Sequence, residues 1–86
     1  MRRYKLYIEE YCPYCNKVRQ ALPQLGLSEE HDVEIKNRSA GNNREELLAL
    51  GGSPQVPYLV DTKTSKAMYE SGDIIAYLQE QISLNK

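Results

Sequence analysis

The sequence predicts an α/β domain with one four-stranded mixed sheet and helices on both of its faces. Short β-prone runs alternate with stretches of helical periodicity in the order β-α-β-α-β-β-α. The first βαβ unit predicts a right-handed crossover between parallel strands, and the two adjacent strands near the end predict an antiparallel hairpin. A chain of 86 residues corresponds to a single domain, which we expect to extend over residues 1–86.

The first half of the chain contains a strand and a proline-containing helix. The run "YKLYI" predicts a strand at Tyr4–Ile8. Pro13 suits the first turn of the following helix, where a missing N–H is tolerated. Pro23 does not suit a helix interior, so we expect the helix to kink or end near Leu22 unless its last turn is reorganised before Gly26. The apolar face of this helix is formed by Val18, Ala21, Leu22 and Leu25.

The second half supplies the remaining strands and helices. Alternation in "DVEIK" predicts a strand at Asp32–Lys36, and "NNREELLALGG" predicts a short helix that opens with an Asn cap and ends in glycine. Two further strands are predicted at Pro57–Asp61 and Ala67–Glu70. Ser71 is expected to cap the last helix. The apolar face of that helix is formed by Ile74, Ile75, Leu78 and Ile82.

Composition excludes several classes of function. The net charge of −1 provides no basic surface for nucleic acid, and the short apolar runs do not predict a membrane span. The segment "MRRYKLYIEE" lacks the apolar region of a secretory signal, so we expect a cytoplasmic protein. Because thiols are kept reduced there, a Cys-x-x-Cys motif indicates catalysis or metal binding more than a structural disulfide.

Both cysteines lie in the stretch "YCPYC". Haem attachment needs His directly after the second cysteine, where this chain has Asn16. Zinc needs four ligands, and Cys12, Cys15 and His31 supply three, so a zinc site would require an unusual dimer. A redox pair needs only a thiolate and a second thiol within reach. A helix N-terminus favours the anion at Cys12, which would attack, and Cys15 one turn inside would resolve.

Three motifs together resemble a known family. "CPYC" after a short strand, "QVP" before the third strand and "ESGDIIAYL" at the start of the last helix resemble glutaredoxins. They also resemble the thioredoxin-fold N-terminal domain of glutathione transferases, and the resemblance covers essentially the whole chain. It implies a thioredoxin fold and a glutathione-dependent thiol–disulfide oxidoreductase that reduces protein disulfides and glutathione mixed disulfides. No bound cofactor is implied, and glutathione is the expected reducing co-substrate.

The resemblance also implies partners and binding residues. The partners would be glutathione and disulfide-containing or glutathionylated proteins, and the domain is expected to be a monomer. Pro57 would follow a cis peptide bond, which turns the main chain of Val56 toward the cysteinyl part of glutathione. Gln55 would lie beside it, and Tyr14 would form a lip over the site. The γ-glutamyl end of glutathione would be held by Ser71, Gly72 and Asp73.

The sequence departs from the family pattern beside the motif. Many glutaredoxins carry Lys three residues before the first cysteine, where this chain has Glu9, followed by Glu10. Two acids are expected to disfavour both the thiolate and an anionic tripeptide. Arg38, Arg44 and Gln55 are the candidates to bind the glycyl carboxylate of glutathione instead.

Other functions remain open at this stage. One alternative is a glutathione- or protein-binding module with weak or no redox activity, and another is a redoxin reduced by a thioredoxin reductase. The resemblance disfavours a dimeric [2Fe–2S] carrier with Cys12 and bound glutathione as ligands, because family members that hold clusters usually lack the rigid Pro-Tyr between the cysteines. The segments "REELLALGGSPQVPYLVD" and "YESGDIIAYL" resemble the transferase version of the domain. A full transferase adds a large helical domain, so transferase activity is not expected from these residues.

Overall fold

The computed structural model describes residues 2–84, and the element order is the predicted one. The elements are β1 (Tyr4–Ile8), α1 (Pro13–Gln24), β2 (Val33–Asn37), α2 (Asn43–Gly51), β3 (Tyr58–Asp61), β4 (Lys66–Met68) and α3 (Ser71–Leu84). Observed and predicted strand boundaries agree for β1 and differ by one or two residues elsewhere. Within residues 2–84, no helix has the length and apolar character needed to cross a membrane.

The strands form one mixed sheet in the order β2-β1-β3-β4. β1 is parallel to β2 and antiparallel to β3, and β3 is antiparallel to β4. In this register Leu6 lies opposite Ile35 on one side and Leu59 on the other. The parallel crossover and the closing hairpin are therefore both confirmed.

Helices cover both faces of the sheet, as predicted. Because successive strand residues point to opposite faces, Leu6 and Ile8 of β1 enter one core while Tyr7 enters the other. The larger core contains Tyr4, Leu6, Ile8, Cys15, Val18, Leu22, Val33, Leu59, Ile74, Tyr77 and Leu78. The smaller core contains Tyr7, Leu47 and Tyr58. The larger core thus joins α1 and α3 to the sheet, and the smaller core joins α2 to it.

Helix α1 continues through Pro23 to Gln24, so it does not end at Leu22. The alternative holds instead, because the last turn is reorganised at its end. The N–H of Leu27 donates to the carbonyl of Leu22 at 2.9 Å, and the N–H of Gly26 donates to that of Pro23 at 3.1 Å. Gly26 has φ 75°, the left-handed conformation that closes this type of helix end. These bonds satisfy carbonyls of the final turn.

The two predicted helix caps have different outcomes. Asn42 occupies the N-cap position of α2 as predicted, but within the described residues its side chain makes no capping hydrogen bond. Its ψ of 16° is not the extended conformation from which a cap side chain reaches the first turn. Ser71 is the first residue of α3 and not its cap, because the carbonyl of Glu70 already accepts the N–H of Ile74 at 2.8 Å.

A buried ion pair joins β3 to the residues before β1. The Nε and Nη2 atoms of Arg3 donate to the two carboxylate oxygens of Asp61 at 3.0 and 2.9 Å. Asp61 is fully buried, and it also accepts from the hydroxyl of Tyr77 and the N–H of Lys63. The Arg3 guanidinium also donates to Gln81 of α3. This network ties both ends of the chain to β3, at the opposite end of that strand from Pro57.

Candidate active site

The turn after β1 places Cys12 at the start of α1. Cys12 is the N-cap residue, with an extended main chain at φ −86° and ψ 114°. Its N–H donates to the carbonyl of Glu9 at 3.3 Å, and its own carbonyl accepts the N–H of Asn16 at 3.0 Å. The side chain of Cys12 is partly exposed, and Pro13 opens the helix as predicted.

Cys12 lies at the positive end of the α1 dipole. An N-cap side chain lies where Ser or Asp accepts the N–H groups of the first helical turn. Within residues 2–84, the side chain of Cys12 makes no such capping hydrogen bond. The first turn of α1 contains no acidic residue, so no negative charge of that turn opposes an anion at this helix end.

Cys15 has the opposite environment. It is fully buried on the inner face of α1, and both cysteines are free thiols. Burial and a hydrogen bond with Cys12 raise the pKa of Cys15 to about 12. Cys15 therefore remains protonated at neutral pH. One partly exposed and one buried sulfur, placed one helical turn apart, is the arrangement that an attacking and resolving pair requires.

An open cavity of about 420 Å³ contains most of the predicted ligand residues. It is lined by Tyr14, Arg38, Gln55, Val56, Pro57, Tyr69, Glu70 and Ser71. Gly72 and Asp73 lie in the first turn of α3, outside this lining. Tyr69 and Glu70 were not predicted from the sequence as site residues. The signal for them was their position directly before Ser71, within the segment "YESGD".

The wall beside Pro57 presents main-chain groups to the cavity. The peptide bond between Val56 and Pro57 is cis, which confirms that expectation. Pro57 is buried, and Val56 packs against both cores. Within residues 2–84, neither the N–H nor the carbonyl of Val56 has a main-chain partner. These two groups are available to an extended ligand, in the manner of an added strand.

Glu9 is neutralised by its neighbours. Its carboxylate accepts from Nε of Arg38 at 3.2 Å and from the hydroxyl of Ser39 at 2.8 and 2.9 Å. The Ser39 bond, followed by the Arg38 bond, holds the pKa of Glu9 below its usual value. The expectation that Glu9 and Glu10 disfavour an anionic ligand stays a prediction, but the structure shows that the charge of Glu9 is paired with Arg38. Its carboxylate is already paired, and it faces a neighbouring cavity.

Arg38 is the basic side chain of the main cavity. Its Nη1 donates to the carbonyl of Pro54 at 2.8 Å, so Glu9 and the loop before Val56 together fix the guanidinium. Arg44 lines the neighbouring cavity of about 570 Å³, together with Glu9. Three residues were candidates to bind the glycyl carboxylate of glutathione. Of these, Arg38 and Gln55 line the cavity of about 420 Å³ beside Pro57, which is called the main cavity here.

His31 does not join Cys12 and Cys15 in a cluster within residues 2–84. Within residues 2–84, no three side chains of the His, Cys, Asp and Glu types lie close enough to hold a metal ion. His31 is exposed at the surface, where Glu30 is its charged neighbour. The residues that the zinc interpretation requires are therefore not assembled in the described part of the chain.

The fold is similar to that of several glutathione complexes of known structure. Ure2p in complex with glutathione has a TM-score of 0.74 and 22% identity, and the match covers 99% of this chain and 35% of that one. The glutathione transferase URE2P6 from Phanerochaete chrysosporium, in complex with oxidized glutathione, has a TM-score of 0.74 and 25% identity, covering 99% and 39%. Glutaredoxin 2 from Salmonella typhimurium, in complex with glutathione, has a TM-score of 0.67 and 24% identity, covering 91% and 33%.

These likenesses confirm the thioredoxin fold, and this chain spans between about a third and two fifths of the length of those proteins. No curated protein matches the chain in sequence. The family profile described as "Glutathione S-transferase, N-terminal domain" matches residues 6–86, which is nearly the whole sequence. The chain therefore belongs to the family of glutathione S-transferase N-terminal domains.

Proposed function

We propose that this domain is a glutathione-dependent thiol–disulfide oxidoreductase that acts through Cys12 and Cys15. The observation that carries the proposal is a partly exposed Cys12 at the N-terminus of α1, followed one helical turn inside by a fully buried Cys15. Structures of similar fold in complex with glutathione or oxidized glutathione support the choice of co-substrate.

The cavity offers complementary groups along the length of the tripeptide. The cysteinyl part would pair with the N–H and carbonyl of Val56. The glycyl carboxylate would lie against the guanidinium of Arg38, with Gln55 beside it. The γ-glutamyl carboxylate would accept main-chain N–H groups at the start of α3, near Ser71, and Asp73 would attract its amino group. Tyr14 would cover the apolar part of the ligand.

The first step is an exchange of disulfide partners. The Cys12 thiolate attacks the glutathione sulfur of a mixed disulfide, a Cys12–glutathione disulfide forms, and the substrate thiolate leaves and takes up a proton. A second glutathione, as its thiolate, then attacks the bound glutathione sulfur. Glutathione disulfide departs and the Cys12 thiolate is restored. This cycle uses Cys12 alone.

Reduction of a protein disulfide requires the second cysteine. Cys12 attacks one sulfur of the substrate, and the other sulfur leaves as a thiolate. Cys15 then gives up its proton, for which the departing thiolate is an acceptor, and attacks Cys12 to release the second substrate sulfur. The resulting Cys12–Cys15 disulfide is reduced by two glutathione molecules, which leave as glutathione disulfide.

The proposed partners and the proposed location both follow from this chemistry. Substrates would be disulfide-containing or glutathionylated proteins, reached at the open cavity by a monomeric domain. A reducing compartment such as the cytoplasm supplies glutathione in its thiol form. We therefore propose a cytoplasmic role, with no cofactor bound.

The test is reduction of a small glutathione mixed disulfide, with glutathione and glutathione reductase supplying electrons. We expect the wild-type domain to turn over this substrate and Cys12→Ser to abolish that turnover. Binding of glutathione without turnover would overturn the redox proposal in favour of a binding module. Turnover that requires thioredoxin reductase in place of glutathione would assign the domain to a different electron donor.

A further inference from the structure

We propose that Tyr69 is a positioning residue for the glutathione cavity, because its hydroxyl fastens two walls of the cavity to each other. The inference rests on the proposed function, since it concerns the site at which glutathione would bind. Tyr69 directly follows β4 and precedes Glu70 and Ser71, which line one wall. The opposite wall is the loop between α2 and β3, which carries Gln55 and Val56.

One hydroxyl engages both main-chain groups of a single loop residue. The Tyr69 hydroxyl donates to the carbonyl of Ser53 at 2.9 Å and accepts the N–H of the same residue at 3.2 Å. The two residues are 16 positions apart in the sequence. The two bonds hold the main chain of Ser53 on both sides of its Cα atom. They restrict both the position and the orientation of the loop at this residue.

Ser53, which the Tyr69 hydroxyl holds, is the first residue of the part of the loop that is proposed to bind the ligand. Pro54 follows Ser53, and its carbonyl accepts Nη1 of Arg38 at 2.8 Å. Gln55 and Val56 come next and face the cavity. The Tyr69 hydroxyl therefore fixes the start of a segment that both orients the cavity's arginine and presents its free main-chain groups.

The surroundings of Tyr69 are shaped around its hydroxyl. A Cβ atom at Gly51 would collide with that hydroxyl and approach Cζ of the ring to 2.7 Å, so a side chain at Gly51 is incompatible with this position of Tyr69. The ring itself packs on Tyr58, with centroids 4.4 Å apart. A phenylalanine would retain that stacking but not the two bonds to Ser53. The hydroxyl is thus separable from the packing role of the ring.

The experiment compares glutathione affinity in a Cys12→Ser background, where no disulfide can form with the ligand. Isothermal titration calorimetry with glutathione is expected to show about three- to tenfold weaker binding for Tyr69→Phe, since two hydrogen bonds that shape the site are lost. Tyr7→Phe is the matched control. Its ring belongs to the same core, and its hydroxyl bonds Glu46 instead of the cavity loop. We expect Tyr7→Phe to bind within twofold of the parent.

Kinetics in the Cys12-containing protein give a second measurement. Tyr69→Phe should raise KM for glutathione while kcat and the rate of Cys12 alkylation by iodoacetamide stay within twofold, because the helix that holds Cys12 is untouched. Gly51→Ala, which presses a methyl group against the hydroxyl, should weaken binding in the same way. This second variant keeps the test available if Tyr69→Phe does not fold.

The outcomes separate this inference from the function on which it rests. Absence of glutathione binding by the Cys12→Ser parent would overturn the proposed function itself. Binding by the parent with unchanged affinity in folded Tyr69→Phe or Gly51→Ala would overturn only the positioning role. Equal weakening by Tyr69→Phe and Tyr7→Phe would also overturn it, because the loss would then follow from general damage to the smaller core.

Discussion

Arg38 and Glu9 form an ion pair at the edge of the cavity, with Nε and Oε2 3.2 Å apart. The acid occupies the position at which many glutaredoxins carry Lys, and it acts on the site through the arginine that it holds. Because Arg38 also donates to the carbonyl of Pro54, its guanidinium has two fixed partners and keeps donors for a ligand. The negative charge of Glu9 is thus paired within the protein.

The first prediction follows from this pair. Arg38→Gln should weaken glutathione binding at least fivefold, because a carboxylate loses its charged partner. Arg44→Gln removes an equal charge from the neighbouring cavity and should leave the affinity within twofold. Calorimetry in the Cys12→Ser background checks both. Equal effects of the two substitutions would show that Arg38 acts only through the net charge of this surface. If neither substitution changed the affinity, Arg38 would not be a ligand-binding residue.

The second prediction concerns selective alkylation of the cysteines. At pH 7.5, iodoacetamide should modify Cys12 and leave Cys15 unmodified, since Cys15 is fully buried and its pKa is raised to about 12. Fragment-ion mass spectrometry locates the label. In Cys12→Ser, labelling of Cys15 should appear only after the protein is unfolded in denaturant. Rapid labelling of Cys15 in the folded variant would contradict the assigned roles.

The third prediction separates the two cysteines by substrate. Cys15→Ser should retain turnover of glutathione mixed disulfides, because that cycle needs only Cys12 and a second glutathione. Reduction of a protein disulfide should fall at least tenfold, because no internal thiol remains to resolve the intermediate. The two rates are measured with the same enzyme preparation. A parallel fall in both would mean that Cys15 serves the first cycle as well.

The sequence predicted the features that depend on local pattern. Alternation and turn residues located β1 to the residue, and the motif around Cys12 located the helix start. For Pro23 the sequence left two outcomes open, and the closed final turn after an exposed proline decided between them. Arg38 stayed one of three candidates and Tyr69 was not named, because their positions at the cavity depend on where the loop of Ser53 and Pro54 lies in space. The spacing of residues in the sequence does not predict how closely this loop approaches Arg38 and Tyr69.

The fourth prediction uses the backbone of Tyr11, which has φ 64° and a side chain that is 93% exposed. Non-glycine residues in this conformation are destabilised by about 1 kcal/mol or more relative to glycine. Tyr11→Gly should therefore be more stable than Tyr11→Ala by about 1 kcal/mol, measured by urea denaturation. Because both variants lack the Tyr11 ring, its loss does not contribute to the difference in stability between them. Equal stability of the two variants would contradict a left-handed Tyr11 in the folded protein.

The last prediction concerns the buried pair of Asp61 and Arg3. Burial alone would raise the pKa of Asp61, but hydrogen bonds from Arg3, Tyr77 and the N–H of Lys63 outweigh it and lower that pKa strongly. Asp61→Asn should reduce the free energy of unfolding at pH 7 by about 2–4 kcal/mol, because Arg3 loses its charged partner in a largely buried site.

The sign of the pH dependence follows from the lowered pKa. An unfolded chain protonates Asp61 near its ordinary value of about 4, whereas the folded protein resists protonation to lower pH. The stabilisation is therefore complete above about pH 5 and is lost as the pH falls below about 4. Urea denaturation from pH 7 to pH 3 should show the difference between wild type and Asp61→Asn shrinking over that range. Glu29→Gln, which removes an exposed ion pair with Arg19, is the control and should change stability by less than about 1 kcal/mol at pH 7. A difference for Asp61→Asn that is constant down to pH 3 would show that the charge of Asp61 does not stabilise the fold.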